Sequence, residues 1–396
     1  MNYQKQKKIV LLGMMTKMPV AGVVWQTVHY LLGFKRLGFD AYYVETHGRT
    51  PSMFMESRED NSSLKAASFI SRVMSRFGFS DRWAFRALHH DDRHFGMSEQ
   101  KLLELYDSAE LIINLHGGTM PRTEFCNGGR LIYVETDPVQ LQIELYDNIQ
   151  ESFDFLEPHC AFFTFGENYA NPDCKLPVSD KFEFKPTRQP VVLDFWESTA
   201  LPGNALTTIG NWSQSWREVV FKGETYHWSK HHEFMKFIDL PKRTIQPLEL
   251  AMSSSSYGEN DRKLLEENGW GLRDSLEFSS DIDAYREYIQ QSYGEFTVAK
   301  DQNVRLKSGW FSDRSATYLA SGRPVITQET GFSNILPTGE GLFGFSVMEE
   351  ILDAIQSVKN DYERHSKAAY EIAREYFKAE EVLSRLLAEV GLGVNV

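Results

Sequence analysis

The segment Ser308–Phe332, SGWFSDRSATYLASGRPVITQETGF, combines residue types that can hold a phosphate group. If a helix begins at Asp313, its first-turn N–H groups present partial positive charge to an anion, and Arg314 can bind phosphate through two hydrogen bonds. The glycine turn after the next strand can bring unhindered N–H groups close to a ligand. An ordinary capped helix with a structural turn is the alternative. The predicted anion-binding residues are Asp313, Arg314, Ser315, Thr330, Gly331 and Phe332.

Polar residues at the ends of strand-like runs are further candidates. Lys300 follows EFTVAK, and ligands of open α/β sheets bind outside the carboxyl ends of the strands. His116 follows LIINL, while Glu135 and Asp137 follow RLIYV, where a general base or an acceptor-positioning group can sit. Alternatively, Lys300 is a solvated loop lysine, and the histidine and the two carboxylates have structural roles.

A second set of residues is predicted to line a cleft beside the first long helix. The loop before the first long helix can offer its N–H groups to a phosphate or sugar hydroxyl, and Trp25 can stack on a sugar ring. Trp25 could equally belong to the hydrophobic core. This set consists of Gly22, Val23, Trp25, Gln26, Glu167 and Asn168.

No bound metal is predicted. His227 and His231 have the i, i+4 spacing of a metal-binding helix face, but no HExxH pattern accompanies them, and solvated or cleft-lining histidines are the preferred interpretation. The chain has 3 cysteines without a CxxC pair, so neither a zinc-cysteine site nor a disulfide framework is indicated. This pattern favours a reducing cytoplasm.

The elements that position these residues alternate between strand and helix. KIVLLGMM, the helical GVVWQTVHYLLGFKRLGF and DAYYVE form a βαβ opening, which predicts a parallel α/β sheet. A polar helical region is expected from Ser57 to about Arg93. A proline-rich stretch precedes a second βα series beginning at ALTTIGNW. We therefore expect two Rossmann-like lobes, residues 1–185 and 205–375, a linker at 186–204, and a C-terminal helix at 376–396 that packs back on the first lobe.

Composition narrows the classes of function. The 396 residues carry a net charge of −13, which disfavours nucleic acid as a partner unless a groove is locally basic. No run approaches the roughly 20 apolar residues of a membrane span. The GxSxG, GxxxxGK[ST] and GxGxxG motifs are absent, which disfavours hydrolase, nucleoside triphosphatase and dinucleotide oxidoreductase functions.

Both halves of the chain resemble GT-B glycosyltransferases. The order of a small-residue helix, ASGRPVI and a TGF turn is similar to the donor-lobe pattern "EAxAxGxPVv…G", and to a matching stretch of spore-maturation glycosyltransferase-like proteins. The opening KIVLLGMM…GVVWQTVHYLLGFKRLGFDAYYVE is similar to the GT-B first lobe. The resemblance implies two facing Rossmann-like lobes, a nucleotide diphosphate sugar (UDP-, GDP- or dTDP-) as co-substrate, a hydroxyl acceptor and no metal. It also implies that Lys222 or Lys230 approaches the diphosphate.

The resemblance has one departure. Retaining members commonly carry two glutamates eight positions apart, and the corresponding residues here are Gly309 and Thr317. A glycosyltransferase is the expected function. A nucleotide-sugar epimerase, a non-catalytic nucleotide- or carbohydrate-binding protein and, less favoured, a DNA-base glucosyltransferase are the alternatives.

Overall fold

A computed structural model describes residues 6–46, 61–88, 91–126, 128–198, 200–214 and 217–393. Its first half forms a sheet with the strand order β4-β3-β2-β1-β5-β6-β7-β8, in which only the β3–β4 pair is antiparallel. The apolar runs of β1 and β5 have no polar alternation because helices cover both faces of a parallel sheet. The strands are β1 (Lys8–Leu12), β2 (Asp40–Thr46), β3 (Trp83–Arg86), β4 (His94–Gly96), β5 (Ala109–Leu115), β6 (Leu131–Glu135), β7 (Ala161–Thr164) and β8 (Phe184–Pro186).

The second half forms a separate, fully parallel sheet in the order β13-β12-β9-β14-β15-β16, and a hairpin, β10–β11, follows its first strand. Two such sheets confirm the predicted GT-B-like α/β fold. The exact domain boundaries remain a prediction. The strands are β9 (Leu206–Gly210), β10 (Val219–Phe221), β11 (Glu224–Tyr226), β12 (Leu248–Met252), β13 (Gly271–Asp274), β14 (Gly294–Thr297), β15 (Val325–Gln328) and β16 (Leu342–Phe345).

Helices connect the strands and cover the faces of both sheets. In the first half they are α1 (Ala21–Arg36), α2 (Ser62–Arg76), α3 (Glu99–Ser108), α4 (Thr123–Cys126), α5 (Gln140–Tyr146) and α6 (Gln150–Leu156). In the second half they are α7 (His231–Phe234), α8 (Leu240–Arg243), α9 (Glu259–Glu267), α10 (Leu276–Ser279), α11 (Ile282–Gln291), α12 (Asp301–Leu306), α13 (Asp313–Ala320), α14 (Met348–Asn360), α15 (Tyr362–Ile372) and α16 (Ala379–Glu389). Among the described residues, no helix combines the length and apolar character that a membrane span requires.

The C-terminal helix returns to the first half of the molecule, as predicted. Val191 pairs with the residues before α16, donating its N–H to the Phe377 carbonyl at 2.7 Å and accepting from the Ala379 N–H at 2.9 Å. Leu383 of α16 then packs directly against Gly33 of α1, where any side chain at Gly33 would collide with it. The predicted linker therefore forms part of the packed structure.

One predicted helical region is only partly helical. Within Ser57 to Arg93, the described part contains α2, but it then enters β3, which pairs in parallel with β2. The sequence WAFR carries little periodicity, so its strand state comes from pairing with Tyr43–Thr46 far away in the chain. Residues 57–60 lie outside the described residues.

Candidate functional site

The carboxyl ends of strands from both sheets meet between the two lobes. Trp310 donates its indole N–H to the carbonyl of Thr136 at 3.2 Å. Lys300, directly before α12, places its ammonium 3.1 Å from a carboxylate oxygen of Asp137. Both contacts join residues far apart in sequence, and both lie where ligands of open α/β sheets bind.

Four cationic side chains, Arg217, Lys230, Lys300 and Arg314, form what we call the basic cluster. Lys230 and Arg314 converge on one atom, because each donates to the Thr297 hydroxyl at 3.2 Å. Arg217 lies 3.6 Å from Asp137, beside Lys300. This concentration of positive charge provides partners for a multiply charged anion.

Lys230 is the unusual member of the cluster. Its pKa is well below the ordinary value, first because of burial and then because of the neighbouring positive charge of Arg314. Among the described residues its ammonium contacts only the Thr297 hydroxyl within hydrogen-bonding distance, and it has no carboxylate partner there. Partial burial of an amine without a paired carboxylate is unfavourable, and an anion bound beside it would offset that cost.

Lys300 is held between a carboxylate and an aromatic ring. Asp137 accepts from its ammonium through both oxygens, at 3.1 and 3.2 Å, and the ammonium lies 2.9 Å from the centroid of the Trp228 ring. Burial lowers the pKa of Lys300 to about 8, although Asp137 opposes that shift. Burial raises the pKa of Asp137, and Lys300 opposes this.

Arg314 is anchored more firmly than the sequence indicates. Its Nε donates to Glu295 at 2.6 Å, and its other nitrogens donate to the Ile209 carbonyl and the Thr297 hydroxyl. Glu295 is fully buried, so removing Arg314 would leave a buried carboxylate without its counterion. An Arg314→Ala variant would therefore lose stability together with any loss of function.

The N-terminus of α13 lies at the cleft. Asp313 faces α1 of the first lobe: a methyl group added to Gly22 would lie 3.9 Å from the Asp313 carboxylate and 3.5 Å from the Tyr285 hydroxyl. Burial raises the pKa of Asp313. Ser315 is fully buried, and its hydroxyl has no hydrogen-bond partner in the described part of the chain. The helix start therefore joins the acceptor-side loop, with Asp313 between them.

The turn Thr330–Phe332 contacts protein rather than open cleft. Gly331 has a φ of 97°, and the side chain of Asn168 occupies the space where a Cβ would project. Asn168 donates to the Lys307 carbonyl at 2.9 Å, so it joins the two lobes. Thr330 donates to the Trp310 carbonyl at 2.7 Å, and Phe332 is only 2% exposed in the core. The structure does not bring this turn to the basic cluster.

The side chains of Glu167 and Trp25 also contact protein groups rather than the open cleft. Glu167 forms a largely buried ion pair with Arg188 at 2.6 Å. Trp25 is 2% exposed, and its indole N–H donates to the Ile282 carbonyl at 2.8 Å, which supports the core interpretation. Gln26 and Gly22 line a small cavity between α1 and α13, and Val23 is partly exposed on α1.

Of the three candidate bases, Asp137 is paired with Lys300, and His116 and Glu135 differ in their surroundings. His116 has a φ of 66°, its Nδ1 lies 2.8 Å from the Thr136 hydroxyl, and its buried Nε2 has no partner among the described residues. Burial lowers its pKa to about 3, so the ring is neutral near pH 7. Glu135 is 1% exposed and accepts from Thr164, Tyr169 and Gln142. Burial raises its pKa to about 7.

Lys222 lies apart from this cluster. It occupies the exposed turn between β10 and β11, with its ammonium over the Phe221 ring. The sequence analysis missed Arg217, Trp228, Trp310 and Thr297. Thr297 belongs to the strand β14 that leads to Lys300, so the strand-end rule could have found it. Arg217 and Trp228 flank a hairpin, and no short-range signal indicates the contact of Arg217 with Asp137 of the first lobe.

Comparisons with known proteins identify the fold. No family model matches the chain, and no curated protein matches it. Among solved structures, it is similar to HepE from Anabaena in complex with UDP and glucose, with 10% identity, a TM-score of 0.55 and coverage of 98% of this chain and 100% of that one. An alpha-glucosyltransferase bound to UDP and a 13-mer DNA gives 10% identity, a TM-score of 0.56 and the same coverage. TarM gives 10% identity, a TM-score of 0.51 and coverage of 98% and 99%.

The chain has a GT-B glycosyltransferase-like fold. At 10% identity the similarity concerns the fold. Gly309 and Thr317, where the resemblance leads us to expect glutamates, both contact neighbouring protein groups. Gly309 packs against Asn168, and the Thr317 hydroxyl donates to the Arg314 carbonyl at 2.7 Å.

Proposed function

We propose that the protein is a glycosyltransferase that moves a sugar from a nucleotide diphosphate sugar to a hydroxyl acceptor between the lobes. The observation that carries this proposal is the partly buried Lys230, which has no carboxylate within hydrogen-bonding distance among the described residues and lies beside Arg314 and Lys300. Structures of similar fold hold UDP, HepE and the alpha-glucosyltransferase among them.

The basic cluster would stabilise the diphosphate as it leaves. Breaking the sugar–phosphate bond concentrates negative charge on the departing oxygen, and preorganised cations in a partly dry site stabilise that charge by several kcal/mol. Lys230 would gain the counterion that it lacks, while Lys300 would exchange some of its contact with Asp137 for phosphate. The first-turn N–H groups of α13, from Asp313 to Ser315, would add their partial positive charge. These residues supply the stabilisation without requiring a metal.

A base on the acceptor side is needed if the reaction inverts the anomeric centre. His116 is the candidate we favour, because its neutral ring has a free Nε2, whereas Asp137 is occupied by Lys300 and Glu135 by three donors. A ring with a pKa of about 3 takes up a proton only weakly, so His116 would act as a base only if the acceptor or sugar raises that pKa. His116→Gln tests the role.

The experiment for the proposal combines binding with turnover. A thermal-shift panel of UDP, GDP, dTDP and their sugars should show a rise in melting temperature for at least one nucleotide, since a ligand that binds the folded state stabilises it. Transfer of the sugar from the same nucleotide sugar to an added hydroxyl acceptor would then establish the glycosyltransferase. Binding without turnover would favour the non-catalytic protein, and consumption of the sugar without an acceptor would favour the epimerase. A panel without any response would refute the donor site.

A further inference from the structure

Glu218, His227 and His232 lie together at the margin of the basic cluster. One ligand atom from each of these residues lies within 4.8 Å of the other two. His227 Nδ1 is 2.7 Å from Glu218 Oε1, and the rings of His227 and His232 stack with their centroids 4.0 Å apart. In the described part of the chain, neither ring nitrogen of His232 has a hydrogen-bond partner. Two imidazoles and one carboxylate are a donor set that suits zinc.

The local fold explains why these residues meet. Val219 pairs with Tyr226 in the β10–β11 hairpin, so Glu218 and His227 occupy the next pair of positions across it. The backbone of His227 is fixed on the other side, where its N–H donates to Asp301 at 2.9 Å. The chain then turns into α7, whose second residue is His232.

His231 is not part of this ligand set. Because α7 begins at His231, His227 precedes the helix, and the two residues do not share a helical face as their i, i+4 spacing indicates. His231 Nδ1 instead lies 2.9 Å from the Ser229 hydroxyl. This neighbouring histidine, whose ring lies 3.9 Å from that of His232, provides a matched control.

We propose that Glu218, His227 and His232 bind one divalent transition-metal ion, with Zn²⁺ as the best match. An imidazole binds metal through a deprotonated nitrogen, so binding at His227 Nδ1 would release the proton shared with Glu218. Three protein ligands leave a tetrahedral ion one further position, which water can fill. The preference for Zn²⁺ follows from the imidazole and carboxylate donors, whereas Mg²⁺ and Ca²⁺ prefer oxygen ligands only.

The ion would brace the segment that supplies Arg217, which contacts Asp137 of the first lobe, and Trp228, which packs against Arg217 and Lys300. Arg217 directly precedes Glu218, and Trp228 directly follows His227. The Arg217 guanidinium lies 4.6 Å from the centroid of the Trp228 ring, which also receives the Lys300 ammonium. A metal that joins the hairpin to α7 would therefore hold both side chains in place. The role of the ion would be structural, and the metal proposal does not rest on the proposed glycosyltransferase activity.

The test measures metal binding by the full-length, untagged protein. After treatment with a chelator, the protein is titrated with Zn²⁺ against a chromophoric chelator, and separately with Co²⁺, whose visible absorption reports a tetrahedral nitrogen and oxygen environment. We expect one Zn²⁺ per chain. His232→Ala and Glu218→Gln should each weaken binding by more than about 100-fold, since even the outer partners of a metal contribute about 10–100-fold. His231→Ala should weaken it less than either.

Melting curves separate loss of the ligand from loss of the fold. Zn²⁺ should raise the melting temperature of the wild type and of His231→Ala, but not that of a folded Glu218→Gln, which preserves the shape of the side chain. The absence of saturable binding to the wild type would overturn the proposal. Equal losses in His231→Ala and His232→Ala would also overturn it, because the ligand set would then be wrong, and so would full binding by Glu218→Gln.

Discussion

Lys230→Met should stabilise the protein and weaken its binding of a nucleotide diphosphate. Methionine matches the length of the lysine stem but carries no amine to bury. The Lys230 amine has a single partner among the described residues, the Thr297 hydroxyl at 3.2 Å, so its other N–H groups depend on the partial access of water to this side chain. A fully buried unsatisfied donor costs about 1–3 kcal/mol, which is the upper bound for this partly buried amine. Removing it should raise the melting temperature of the ligand-free protein by up to roughly 4 °C.

The same substitution should have the opposite effect on nucleotide binding. A hydrogen bond to a charged phosphate contributes about 1.5–3 kcal/mol, which corresponds to a roughly 10–150-fold loss of affinity. The pKa of Lys230 is far below its ordinary value without ligand and should rise beside a diphosphate, so binding should take up protons. Isothermal titration calorimetry of UDP binding in buffers with different ionisation enthalpies measures that uptake, which should shrink in Lys230→Met.

Lys222→Met is the matched control. It makes the same chemical change in an exposed turn, so it should leave both the melting temperature and UDP affinity nearly unchanged. The reasoning is refuted if Lys230→Met binds UDP as tightly as the wild type, or if it melts at a lower temperature while Lys222→Met does not. Should another nucleotide be preferred in the thermal-shift panel, the calorimetry uses that nucleotide.

Three further predictions concern the contacts across the cleft. UDP affinity should fall as the pH rises through about 8, where Lys300 loses its proton and its charge, and titrations at several pH values should show a weaker fall in Lys300→Arg. Asp137→Asn should move this fall in UDP affinity to lower pH, because the carboxylate 3.1 Å away holds up the pKa of Lys300, and a loss of turnover beyond the loss of affinity would assign Asp137 a catalytic role. Trp310→Phe keeps the ring but removes the 3.2 Å bond to Thr136, so thermal unfolding should show a loss of about 1 kcal/mol; an unchanged midpoint would show that this bond adds nothing.

The sequence predicts the architecture because the relevant signals are local. Continuous apolar runs such as KIVLL mark the strands of a parallel sheet, and strand-end positions point to Lys300. Side chains that meet only after the lobes pack together have no such signal. Asn168 is an example: in the sequence it belongs to a loop, whereas in the structure it fills the space beside Gly331. The sequence therefore indicates which strand ends carry the candidate site, but not which side chains contact one another there.

The contacts of Arg314 and Lys230 explain how the basic cluster is held without glutamates at positions 309 and 317. Glu295, buried on β14, balances Arg314 from beneath the cleft, so the guanidinium is held without an acid at Gly309 or Thr317. The Lys230 amine contacts a hydroxyl and, among the described residues, no carboxylate. In a protein that needed only stability, a hydrocarbon side chain of similar size would cost less than this partly buried amine. The setting of Lys230 therefore argues for an anionic ligand more strongly than any single motif in the sequence.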